Sequence, residues 1–140
     1  MRVLAIDTAL EACSVGVLDT ERADTRAHES LVMQRGHAEA LMPLIARVLD
    51  RAKLDFAALD RIAVTTGPGS FTGLRVGIAA ARGIALAAGK PAIGLSTLAA
   101  FAAPFIAADD TLPVVVAIDA RHDHVYLQVF TWPVCSRKPT

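Results

Sequence analysis

The stretch Thr66-Gly67-Pro68-Gly69-Ser70-Phe71-Thr72-Gly73-Leu74-Arg75 constrains this chain more than any other. Three glycines and a proline fall between Gly67 and Gly73. Ahead of them runs Arg61-Ile62-Ala63-Val64-Thr65, apolar and β-branched, which reads as a buried strand. Behind them an alanine-rich stretch runs to Ala88 and reads as a helix. A strand, a glycine turn and a helix start can aim backbone N–H groups at an anion. Glycine also lets another backbone come close. Two readings follow: a phosphate cradle, or a tight turn with a closely packed helix. The Walker lysine is missing, because Gly73 is followed by Leu74 and Arg75, and the Rossmann glycine spacing is absent.

The chain has 140 residues, enough for one domain with a real core. Its 14 basic and 14 acidic residues balance, with no basic tail or acidic run to call for nucleic acid. Two cysteines, Cys13 and Cys135, do not make a disulfide framework. The apolar start, Met1 to Asp7, is too short for a signal peptide, so a cytoplasmic protein is expected. Residues 91–108 carry no charge, at the lower edge of a membrane span. Pro91, Gly94, Ser96, Thr97 and Pro104 interrupt them, so strand, Ser/Thr cap and short helix is the expectation, with no membrane.

Val3 to Ile6 reads as a strand ending in Asp7-Thr8, and Cys13 to Leu18 as its hairpin partner. Thr25 to Met33 reads as a third strand of the same sheet. Gly36-His37 opens an amphipathic helix to about Lys53, with Leu41, Leu44, Ile45, Val48 and Leu49 on one stripe. Pro43 should kink it or mark a late start. In the helix from about Thr72 to Ala88, Gly73, Gly77 and Ala81 are four apart, leaving one face almost bare. Arg75 and Arg82 share another stripe. A strand at Ala92–Leu95 follows, then a helix from Ser96-Thr97 to about Phe101. A last hairpin joins Val114–Ile118, ending in Asp119, to Val125–Phe130.

That last hairpin repeats the first without a gap. Val3-Leu4-Ala5-Ile6-Asp7 lies over Val115-Val116-Ala117-Ile118-Asp119, and Cys13 to Leu18 lies over Val125 to Phe130, at an offset of 112 residues. Such a match implies a duplicated unit with an aspartate at the tip of each first hairpin.

Three segments carry a family resemblance. They are Ile6-Asp7-Thr8 with Cys13 to Val17, the run Gly67 to Gly77, and Gly94-Leu95-Ser96-Thr97-Leu98. Together they resemble the TsaB (YeaZ) family, part of the bacterial machinery for threonylcarbamoyladenosine in tRNA. The resemblance runs from residue 1 to about Phe130. It implies an α/β, actin-like ATPase (ASKHA, ribonuclease H-like) fold. The first subdomain, residues 1–108, would be complete, and the second would stop after its opening hairpin, residues 109–130. Residues 131–140 show no family pattern and are expected to be partly disordered. In actin, hexokinase and Hsp70, paired hairpins of this type hold a nucleotide phosphate and its magnesium.

The resemblance further implies a non-catalytic partner of the catalytic subunit TsaD. Dependence on the ATPase TsaE comes through the complex, as does contact with tRNA, and a homodimer is implied too. No cofactor of its own is expected, ATP and magnesium being used by partner subunits. Weak nucleotide-site candidates are Asp7, Thr8 and Asp119, but Ala120 follows Asp119 where glycine would let a phosphate approach. The plain alternative is turn aspartates bonding to local backbone. An actin-like ATPase or kinase fragment and a metallopeptidase remain the competing functions. A catalytic sibling would carry His-x-x-x-His on its first helix. Here His37 stands alone, with Leu41 in the second place. His122 and His124 would share a strand face near Asp119 and Asp123, but no metal site is assigned. Corresponding helices of the family pack on partner copies. The expected interface is therefore His37, Leu41, Leu44, Ile45, Gly73, Arg75, Gly77 and Ala81.

Overall fold

The computed structural model describes residues 1–22 and 24–131. In chain order they form β1 (Arg2–Asp7), β2 (Ala12–Asp19), β3 (Asp24–Val32), α1 (His37–Ala52), a 3-10 turn (Phe56–Ala58), β4 (Arg61–Thr65), α2 (Phe71–Ala88), β5 (Ala92–Leu95), α3 (Thr97–Ala108), β6 (Val114–Arg121) and β7 (His124–Phe130). They divide into two compact units, Met1–Ser96 and the residues from Thr97 on. α3 belongs with the second of these units because it packs on β6 and β7.

The first unit is a mixed five-stranded sheet in the order β3-β2-β1-β4-β5. β1 is central: antiparallel to β2 (Val3 opposite Leu18, Ile6 opposite Val15) and parallel to β4 (Leu4 beside Ile62). Period-two patterning sets its faces. Leu4, Ile6, Val15 and Val17 are buried, while Ala5 and Leu18 are exposed. α1 packs on β2 and β3, α2 on β4 and β1, and the two helices touch. Leu41, Leu44, Ile45, Val48 and Leu49 of α1 join Ala81, Ile84 and Ala85 of α2 in the core. Glu29 of β3 pairs with Arg47 at 2.9 Å and with Arg51, pinning α1 across the sheet edge.

Pro43 lies inside α1, which starts at His37 and runs unbroken to Ala52. It stands on the exposed side, so the Glu39 carbonyl it leaves without a donor can meet water. The buried leucine stripe then decides the helix. Pro104 sits the same way in α3, which runs to Ala108 rather than ending near Phe101.

In the second unit β6 and β7 form a two-stranded antiparallel sheet. His122 and Asp123 make the turn, both at positive φ (51° and 60°), as a two-residue hairpin of the primed type demands. The 112-residue offset locates both strands but misses their register. A strict copy would set Val115 opposite Phe130, whereas Val115 faces Val129. The two-residue turn replaces the four-residue connection between β1 and β2, and a bulge follows Asp119. The expectation for residues 132–140 lies outside the described residues.

Candidate functional site

Asp7, Thr8, His37 and the glycine loop meet at one place, the turn between β1 and β2. Asp7 ends β1, and its Oδ1 accepts from the Ala9 amide at 3.0 Å and from the Thr65 hydroxyl at 2.8 Å. The carboxylate thereby ties the turn to the end of β4. Thr8 is fully buried, and its hydroxyl donates to the Gly73 carbonyl at 2.6 Å. The Ala9 carbonyl accepts from the Ser70 amide at 2.6 Å. His37, at the first turn of α1, donates from Nε2 to the Leu10 carbonyl at 3.2 Å, which fixes the proton on that nitrogen. The Met33 amide bonds the Glu11 carbonyl at 3.1 Å.

The glycine loop is shaped to let this turn in. The Gly67–Pro68 peptide is cis, and Gly67 stands at φ 113°. A Cβ on Gly69 would strike the Ala9 carbonyl, one on Gly73 the Thr8 carbonyl, and one on Gly77 the Thr8 hydroxyl. The glycines therefore serve close approach of the chain's own backbone. Ser70 caps α2 by accepting from the Gly73 amide at 3.2 Å, and its own carbonyl accepts from Leu74. Of the two readings of the loop, the tightly packed turn is the one the geometry has. The Ser70, Gly73 and Leu74 amides that a phosphate would seek are bonded within the chain.

Charge at the turn is modest. Burial pushes the Cys13 thiol above its ordinary range, and the neighbouring Asp7 carboxylate adds to the shift. Among the described residues, no three His, Cys, Asp or Glu side chains come together to hold a metal ion. The pairing of His122 with His124 on a strand face does not form: His122 sits in the hairpin turn, and His124 Nδ1 donates to its carbonyl at 2.6 Å. Asp119 of the second unit is exposed, and its Oδ1 accepts from the Arg121 amide at 2.8 Å. Asp7 and Asp119 thus both make the same local bond, to the amide two residues on.

The eight expected interface residues divide sharply. Leu41, Leu44, Ile45 and Ala81 are core residues, His37 is buried, and Gly73 and Gly77 are covered by Thr8. They face inward, and only Arg75 is exposed. What α2 presents to solvent is a different stripe: Phe71, Arg75, Ala79, Arg82 and Leu86. Phe71 is 75% and Leu86 86% exposed, and the Arg75 guanidinium lies over the Phe71 ring at 5.1 Å. Its signal in the sequence was the arginine spacing, which marks the water side of an otherwise apolar helix. With 18 residues and a mean hydropathy of 1.3, α2 has the length and composition of a membrane span, yet its glycine side is packed in the core.

The model of the family TsaD, tRNA N6-adenosine threonylcarbamoyltransferase, matches residues 30–132. The TsaB protein of Escherichia coli, a tRNA threonylcarbamoyladenosine biosynthesis protein, is 40% identical over 126 residues, 90% of this chain and 53% of that one. Its namesake in Haemophilus influenzae is 39% identical over 90% of this chain and 52% of the relative. The chain spans about half the length of these curated relatives. The solved structure of YeaZ from Pseudomonas aeruginosa superposes with a TM-score of 0.83 at 37% identity, covering 94% of this chain and 60% of that one. The mixed sheet with its glycine loop and two facing helices is the YeaZ arrangement, and it carries the expected α/β actin-like fold. A family model that takes in most of the chain, and relatives that agree with it in sequence and in fold, leave one assignment: the chain belongs to the TsaD family and, within it, to the TsaB (YeaZ) group.

Proposed function

We propose that this chain acts in the formation of threonylcarbamoyladenosine at position 37 of tRNAs that read ANN codons, as a non-catalytic cytoplasmic subunit that binds and supports TsaD. TsaE and tRNA are met through the complex, and ATP and magnesium are used by the partner subunits. The observation that carries the non-catalytic part is the β1–β2 turn. In a nucleotide-holding relative this turn and its aspartate would face the phosphate. Here Asp7 is bonded to Ala9 and Thr65, the Ser70 amide to the Ala9 carbonyl, and the Gly73 and Leu74 amides to Ser70.

The proposed contact surface is the solvent face of α2, with Phe71, Arg75, Arg82 and Leu86. An apolar helix face with two exposed large side chains is costly to leave in water and suits a partner helix. It can serve TsaD or a second copy of the chain. Retention of the chain on immobilised TsaD, measured beside ATP hydrolysis by the chain alone, tests the proposal. Binding to TsaD that is lost in Leu86→Glu, with no hydrolysis by the chain alone, supports it. Robust magnesium-dependent ATP turnover, or TsaD binding unchanged in both Leu86→Glu and Arg75→Glu, overturns it.

A further inference from the structure

We draw no further inference here: the strongest candidate, the hollow between the end of α2 and the start of β5 flanked by Arg82, Leu86 and Lys90, belongs through Arg82 and Leu86 to the partner surface already described, and nothing in the structure shows what else would occupy it.

Discussion

Replacing Gly73 by alanine tests whether the glycine loop exists to admit the β1–β2 turn. Alanine favours a helix interior over glycine by about 1 kcal/mol. Against that gain, the new methyl would meet the Thr8 carbonyl, a backbone atom held by the sheet on one side and by α2 on the other. Overpacking of this kind costs about 1 to 3 kcal/mol. If α2 moves away to relieve it, the buried Thr8 hydroxyl loses the Gly73 carbonyl, at a further cost of about 1 to 3 kcal/mol. The net expectation is a loss of about 3 kcal/mol, or roughly 10 °C in melting temperature for a chain of this length. Gly83 in the same helix is the control, since a Cβ there meets nothing within 4 Å. Gly83→Ala should keep the propensity gain of about 1 kcal/mol and raise the melting temperature by a few degrees. Urea unfolding followed by circular dichroism reads both. If Gly73→Ala is as stable as the parent, or if Gly83→Ala is equally damaging, close approach is not what these glycines do.

Three further outcomes follow from neighbouring contacts. Leu41→Glu and Ala81→Glu would each bury a carboxylate in the core and should yield unfolded or aggregated protein, whereas Leu86→Glu should stay folded by circular dichroism; a folded Leu41→Glu refutes the packing. Asp60 accepts from the Arg2 amide at 2.6 Å, and that bond, with nearby positive charge, holds its carboxyl below the ordinary range; its stabilisation is therefore present above the unfolded-state pKa and lost as pH falls through the folded one, so Asp60→Asn should flatten the acid limb of a stability–pH profile. Cys13, buried and with its thiol raised, should resist Ellman's reagent at pH 8 in the native Cys135→Ser chain and react fully in denaturant; rapid native reaction would contradict the packing of β2.

Where side-chain pattern decides structure, the sequence was legible. Short apolar, β-branched runs placed β1, β2, β4 and β6, and the leucine stripe placed α1 despite Pro43. What it hid was direction. Gly73, Gly77 and Ala81 form a bare helix face under either use, against the chain's own turn or against a partner, and only the position of Thr8 separates the two. Thr8 lies 65 residues from Gly73, and no local pattern reports a contact of that span. Thr65 was missed as the partner of Asp7 for the same reason. The His122–His124 alternation failed on a nearer cause. A strand period was assumed across a place where φ turns positive.

The two aspartates show how a duplicated pattern can persist without a duplicated task. Asp7 is the last residue of β1 and Asp119 lies two residues before the end of β6, yet both make the same bond to the amide two residues on. That bond suffices to shape a turn, so it gives no reason to assign either residue to catalysis. What differs is the surroundings. Asp7 gains the Thr65 hydroxyl and sits among Thr8, Ala9 and the glycine loop, where each substitution would move α2 against the sheet. Asp119 is exposed beside a two-residue turn, and changing it should disturb only the hairpin. If α2 carries the partner surface, Asp7 acts on assembly at a distance, by fixing the turn against which α2 is seated. An Asp7→Asn variant keeps an oxygen for Ala9 and Thr65 and should preserve TsaD binding. Asp7→Ala removes both bonds, frees the turn, and should weaken binding together with stability.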